Sequence, residues 1–259
     1  MEQYMAQNSG GFDNETPFIT SEDGILEIPE YYRDLYVDYD VSSLAPTTEN
    51  REYLRQIYIQ SFYMNHWYTK ECDIFTAPTT FYPISLEKEV IFETPMFARL
   101  NSVSPKCYKR PVRSLSEAKN QIEASSRCQA VLNISRHHKF HACYAIRHFQ
   151  DFSQGVEYRL FVRKERLTAI SSNDDRLTNF DNTELIARSR ELLKMCIFFM
   201  PFSDCVIDIF IHDTLPELDQ VVEFNSFGSW ANAGSGLFHW LEDAFELNTS
   251  HEVTVRVFR

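Results

Sequence analysis

Apolar residues recur at two different periods along this chain, and the points where the period changes divide it into elements. Leu54, Ile57, Tyr58 and Phe62 return at helical spacing, which predicts an amphipathic helix from about Glu49 to Trp67. Pro78, Pro83 and short apolar runs then predict a loop with a strand near 89–93, and ETPMFARLN predicts another strand running into a loop. Ser114 and Glu117 have the S-x-x-E spacing of a capping box, in which each side chain satisfies an amide at a helix start, so a helix to about Arg127 is expected. QAVLNI and CYAIRHF read as two short strands around the basic linker SRHHKFHA. EYRLFVRKERLTAIS reads as a hairpin with a charged turn at Arg163–Arg166. Residues 183–200 carry Leu185, Ile186, Leu192, Leu193, Cys196 and Phe199 on one helical face and stop at Pro201. VIDIFI and VVEFNSFG follow as strands joined by a nine-residue connection, then AGSGLFHWLEDAF as a helix and EVTVRVF as a last strand. Strands and helices mix without strict βα alternation, which predicts an α+β fold.

The pattern breaks its own rule in residues 206–228, where carboxylates stand inside two otherwise apolar strands. Val206, Asp208 and Phe210 point one way, and Val221, Glu223 and Asn225 share one face of the next strand. An ionised carboxylate withdrawn from water must find a cation or a donor. If the two strands pair antiparallel, Asp208, Glu223 and Asn225 meet, and an oxygen-only set suits magnesium held with substrate phosphates. The strand pattern equally allows these acids to lie on the wet face of a half-exposed sheet.

Charge sharpens that picture. The chain of 259 residues has a formal net charge of −12. Residues 1–50 hold eleven acids and one base, Arg33. Residues 94–150 reverse the balance, with two acids against ten Lys and Arg, net +8, and residues 151–259 hold eighteen acids and ten bases, net −8. A basic middle and an acidic last third are what a phosphate site and a metal site need, although solvated surface produces such blocks too. Residues 1–48 are expected to form an acidic N-terminal arm. The overall negative charge, and the lack of stacking aromatics in the basic block, argue against nucleic acid as a partner.

Other chemistry is narrowed by what the residues do not arrange. No apolar run approaches the roughly 18 residues needed to span a bilayer, and the N-terminus lacks the basic and apolar regions of a signal peptide, so a cytoplasmic protein with no membrane role is expected. The six cysteines contain no CxxC pair, which predicts reduced, buried thiols. No glycine loop of the G-x-x-x-x-G-K or G-x-G-x-x-G type can be drawn through the seven glycines. His137, His138 and His141 lie in a basic linker without an evident fourth ligand, which argues against zinc. The candidate cations are Arg99, Lys106, Arg147 and Arg159, each at or beside an apolar strand; a strand-borne arginine presents a rigid fork that matches phosphate oxygens, and otherwise pairs with a surface acid.

Several ordered blocks together resemble a known family. EYRLFVRKERLTAIS followed by Asn173 and Asp174, VIDIFI with VVEFNSFGSW and SGLFHW, ARLNSVSPK, CYAIRHF and QSFYMNHWY are similar, in the same order over roughly residues 60–257, to blocks of the cell division cycle protein 123 (D123) family, a branch of the ATP-grasp superfamily. The resemblance implies an α+β, ATP-grasp-like fold over residues 49–259, with ATP and Mg between two α+β lobes whose boundary falls near 142–150. It implies that Arg99 reaches the nucleotide, that the loop from Asn101 through Ser104 to Lys106 takes the phosphate-loop role, and that the backbone near Ile146–Phe149, with Arg147, His148 and Phe149, forms the adenine hinge. It makes Arg159, beside Glu157, a phosphate ligand, and Asp208, Glu223 and Asn225 the magnesium ligands.

The family assists assembly of translation initiation factor 2 by binding its gamma subunit, so the resemblance implies an ATP-dependent assembly role. The alternative is an ATP-grasp ligase that joins a carboxylate to an amine or similar nucleophile through an acyl phosphate, because fold alone does not set chemistry. This sequence departs from the family at Arg99 for Lys, Glu223 for Asp, Ser226 for Pro, and Ser102 and Val103 where Trp and Ser are usual. It stops at Arg259, where the family continues into a C-terminal tail involved in partner binding, so the resemblance implies the nucleotide more directly than the partner.

Overall fold

A computed structural model of the chain describes residues 79–105, 110–137, 142–228, 233–249 and 252–259. The arm expected over 1–48, the helix expected over about 49–67, Lys106, and the ring chemistry of His137, His138 and His141 lie outside the described residues. Among the described residues there are two compact units, and the division in sequence falls between Gln150 and Asp151.

In the first unit, β1 (Thr80–Pro83), β2 (Ile91–Leu100), β3 (Val112–Ser114) and β4 (Cys143–His148) form an antiparallel sheet in the order β1-β4-β2-β3. The two strands expected near 89–93 and at ETPMFARLN are one strand, β2. Pro95 interrupts it where the pairing shifts between Ile91 and Met96, so the missing N–H falls at an irregularity. The Pro95 carbonyl accepts a hydrogen bond from Phe149 N at 3.0 Å.

The helix α1 (Leu115–Glu123) starts where the capping box places it: Ser114 Oγ accepts from Glu117 N at 3.1 Å. The returning bond goes one residue further out, from Arg113 N to Glu117 Oε2 at 2.6 Å. Leu115, Ala118 and Ile122 bury one stripe of α1, which packs on β2 and β3.

The stretch QAVLNI corrects the sequence reading. It belongs to a second helix, α2 (Ser126–His137), not to a strand. Six apolar-rich residues do not distinguish the two periods by themselves. Burial of Cys128, Val131 and Leu132, three and four residues apart, decides for the helix.

In the second unit, β5 (Gly155–Arg163), β6 (Arg166–Ser172), β7 (Cys205–His212), β8 (Gln220–Asn225) and β9 (Thr254–Arg256) form a sheet in the order β8-β7-β5-β6-β9, antiparallel except for the β6–β9 pair. The β5–β6 hairpin turns at Lys164 and Glu165, both with positive φ, 49° and 61°. That twist matches the flanking strands but disfavours residues with a Cβ. Lys164 N donates to Asp204 Oδ1 at 2.7 Å and Glu165 N to the Ser203 carbonyl at 2.8 Å, which holds the turn in place.

The helix α3 (Asn182–Cys196) is capped by Asp181, whose Oδ1 accepts from Glu184 N at 2.8 Å. It buries Leu185, Ser189, Leu192, Leu193 and Cys196; Ile186 is half-buried, and Phe199 follows in a 3₁₀ turn, Ile197–Phe199. The stretch AGSGLFHWLEDAF is a second correction. Only its end enters a helix, α4 (Ala244–Thr249), and the residues before it form turns because Gly234 and Gly236 punctuate them.

All eight residues of β7 are buried, so both faces of the sheet are covered around it. One face carries Tyr158, Leu160, Ile207 and Ile209. The other carries Phe161, Ala169 and Val206 under Phe227, Phe238, Trp240 and Leu247. Phe161 meets Phe227, Phe238 and Trp240 edge-on, with centroids 5.5–6.5 Å apart. This aromatic cluster fills one half of that face and leaves the other half to polar residues. All four described cysteines are free, and Cys128, Cys196 and Cys205 are buried. No described helix is long and apolar enough to cross a membrane.

Candidate functional site

Register determines which polar side chains meet beside the aromatic cluster. Arg159 on β5 stands opposite Asp208 on β7, and Asp208 stands opposite Glu223 on β8. Val206, two residues before Asp208, stands opposite Asn225, so Asp208, Glu223 and Asn225 share one face, as the alternation predicts for an antiparallel pair. Glu157, two residues before Arg159, shares that face too. The strands are therefore not a wet surface: Asp208 is 2% exposed, Asn225 3% and Arg159 7%, and Glu223 and Glu157 are half-buried.

The buried charges pair directly. Arg159 Nε donates to Asp208 Oδ1 at 2.7 Å and Nη2 to Oδ2 at 2.8 Å, a two-pronged fork. Arg159 Nη1 donates to the Gly234 carbonyl at 2.5 Å, and Asn225 Nδ2 donates to Asp208 Oδ2 at 3.2 Å. Burial works against the Arg159 charge, but Asp208, then Glu223 and Glu157, outweigh it and raise the guanidinium's pKa. Three acids around one base leave the face negative.

This donor set can be compared with what a cation needs. Among the described residues no group of three or more His, Cys, Asp or Glu is placed to hold a metal, so the face is not an all-protein cage. Two carboxylates and one amide oxygen do fit a magnesium ion that takes its other ligands from phosphate and water.

In the first unit, β2 and β4 bring a different set together. Arg99 stands opposite Ala145 and Arg147 opposite Phe97, so both arginines lie on one face of that sheet. They are 5% and 8% exposed. Arg147 lies over the Phe97 ring at 5.5 Å, and Arg99 Nε donates to the Leu100 carbonyl at 3.1 Å. Asn101 is buried and clamps the end of β2 to β4: its N–H donates to the Cys143 carbonyl at 3.0 Å, and its Oδ1 accepts from Cys143 N at 3.2 Å. Ser104 is half-buried, whereas Ser102 is buried with a hydroxyl that has no partner among the described residues. His148 is exposed with Nδ1 3.0 Å from Thr94 Oγ1, and the Phe149 N–H is already used by Pro95.

Two participants were not singled out from the sequence. The Gly234 carbonyl completes the hold on Arg159, and Ser171, opposite Arg159 on β6, accepts a hydrogen bond from Leu237 N at 2.7 Å. The glycine spacing in AGSG was the available signal for a turn, and it was outweighed there by the apolar residues that follow.

The fold is of the α+β class, with a four-stranded sheet in one unit and a five-stranded sheet in the other. The D123 family matches residues 114–259, more than half of the sequence, and the chain belongs to that family. Glu157, Arg159, Asp208, Glu223 and Asn225 lie inside the matched segment, whereas Arg99, Asn101, Ser104 and Lys106 precede it. A putative CDC123-like protein of Acanthamoeba polyphaga mimivirus is 30% identical over 121 residues, which are 42% of this chain and 36% of that protein. The match thus spans about a third of that relative's length. Cdc123 from Schizosaccharomyces pombe superposes with a TM-score of 0.58 at 19% identity, covering 78% of this chain and 95% of that one. Its C-terminally truncated form gives 0.60 at 18% identity, covering 77% and 97%. At these identities the likeness establishes the shared fold.

Proposed function

We propose that this protein binds ATP with magnesium in the cytoplasm and acts as an assembly chaperone that engages the gamma subunit of translation initiation factor 2. The observation that carries the nucleotide half of this reading is the single row of Arg159, Asp208 and Glu223 across three neighbouring strands, with Asn225 beside it. Membership of the D123 family supports the partner half.

In this reading, Asp208, Glu223 and Asn225 hold magnesium, which would neutralise charge on the phosphate oxygens when bound. Arg159 has five N–H donors and uses three on Asp208 and Gly234, so two remain for phosphate oxygens. Glu157 keeps the surroundings of Arg159 acidic. For Arg99, Asn101, Ser104, Lys106, Arg147, His148 and Phe149, which precede the division between the units, contact with the nucleotide is what the resemblance to the family implies.

The test uses the purified full chain with Mg-ATP. ATP binding without turnover, together with capture of initiation factor 2 gamma, is the expected result. Release of ADP that depends on added carboxylate and amine acceptors would replace the chaperone with a ligase. No measurable affinity for Mg-ATP would overturn the nucleotide assignment altogether.

A further inference from the structure

The hold on Arg159 depends on a turn that has no freedom to sit elsewhere. Residues 233–238 run along the polar edge of the aromatic cluster. Trp240 Nε1 donates to the Ala233 carbonyl at 3.2 Å, Ser235 Oγ to the Phe238 carbonyl at 2.5 Å, and Leu237 N to Ser171 Oγ at 2.7 Å. Ser171 Oγ in turn donates to the Ser172 carbonyl at 2.9 Å, which orients its lone pairs toward Leu237. Gly236 lies between these anchors with φ +61°, and a Cβ there would stand 2.2 Å from Ser171 Oγ and 2.8 Å from Ser171 Cβ. Both the backbone conformation and the space therefore demand glycine. Two residues earlier, the Gly234 carbonyl receives Arg159 Nη1, the one arm of the guanidinium that Asp208 does not hold.

From this geometry we infer that the Gly234–Leu237 turn is a positioning element for the phosphate-reading end of Arg159, and that Gly236 and Ser171 are the residues that set it. The inference rests on the nucleotide reading above and deepens it. A guanidinium held only by Asp208 can pivot about the carboxylate axis; a third bond to a fixed carbonyl removes that motion and aims the two remaining N–H groups in one direction. Gly236 and Ser171 touch no ligand and act through Arg159.

The experiment compares Mg-ATP with adenosine as ligands of the full chain. Gly236→Ala lifts the turn off Ser171, and Mg-ATP affinity falls about tenfold while adenosine affinity is unchanged, because only the phosphate contact is misaimed. In an Arg159→Lys background, which keeps the charge without the planar fork, Gly236→Ala has no further effect on Mg-ATP. Should Gly236→Ala fail to fold, Ser171→Ala carries the same comparison with a loss of about threefold, since it removes the hydroxyl that receives Leu237 N and creates no clash. Unchanged Mg-ATP affinity in these variants overturns the inference and leaves the nucleotide reading standing. An equal loss for adenosine and Mg-ATP also overturns it, since the turn then only supports the fold. A wild-type chain with no affinity for Mg-ATP overturns the nucleotide reading, and this inference falls with it.

Discussion

Two guanidinium–carboxylate forks are buried against the same five-stranded sheet, and they differ in what surrounds them. Arg188 on α3 grips Asp219 with Nε to Oδ2 at 2.8 Å and Nη2 to Oδ1 at 2.5 Å. Its remaining capacity is largely used: Nη2 also donates to the His212 carbonyl at 2.8 Å, Nη1 lies 3.5 Å from Glu184 Oε1, and the guanidinium sits over Phe180 at 4.7 Å. Asp219 Oδ1 accepts from His212 N as well, at 2.9 Å, so this fork ties α3 to the end of β7 and the connection toward β8. Arg159 and Asp208 make the same fork in the middle of the sheet, but Glu223 and Glu157 add negative charge and two guanidinium N–H groups remain. A fork whose donors are largely used braces the fold. One with surplus acid and spare donors keeps capacity for further partners, as the proposed magnesium–nucleotide role requires.

The largest effect is expected at the closed fork. Arg188→Ala should destabilise the protein by about 3–5 kcal/mol in urea unfolding, because Asp219 is left buried without its cation. Replacing Arg188 with Met and Asp219 with Leu together should recover part of that loss, since the unpaired charge is gone while the His212 N–H and carbonyl lose these partners. A double variant as unstable as the single one would mean that the fork contributes more than charge matching.

A smaller effect sharpens the contrast directly. Asp208→Asn should cost about 1–2 kcal/mol less than Asp219→Asn in the same measurement, because Glu223 and Glu157 still face Arg159. Equal losses would show that the acidic surplus does not distinguish the two forks. The same Asp208→Asn variant should lose Mg-dependent ATP affinity by at least about tenfold, read by titration calorimetry.

A third, more exposed fork supplies the smallest effect. Arg256 donates to Asp243 at 2.6 and 2.7 Å and lies over the Phe238 ring at 4.4 Å. Burial alone would raise the Asp243 carboxyl, but the Arg256 fork and the His239 N–H outweigh it and hold it below its ordinary value. A carboxyl lowered by folding contributes stability that is fully present above its unfolded pKa of about 3.9 and is lost as pH falls through the lower folded value. Asp243→Asn should therefore flatten the acid limb of the stability–pH curve below about pH 4. An identical acid limb in wild type and variant would remove Asp243 from the account of acid sensitivity.

The sheet of the second unit was largely legible in the sequence. Alternation identified β5 and β6, and it put Glu223 with Asn225 on one face of their strand; that Asp208 joins them follows from the antiparallel register of β7 and β8. The capping box at Ser114 and the apolar stripe of α3 were equally local signals. QAVLNI failed because a six-residue apolar run fits either period until its packing partners are known. AGSGLFHWLEDAF failed because its apolar residues outweighed two glycines whose turn is imposed by Ser171, more than sixty positions away.

The sequence by itself determined which segments alternate, and that carboxylates in β7 and β8 would require partners if buried. It did not determine which partner each would take. Arg159 was expected at a phosphate and Asp208 at a metal; in the fold they hold one another across 49 positions of sequence, with the Gly234 carbonyl, 75 positions from Arg159, as the third member. The physical reason is that facing direction follows from the local geometry of the strand, whereas pairing follows from register and strand order. Those are settled only when the whole sheet closes around β7.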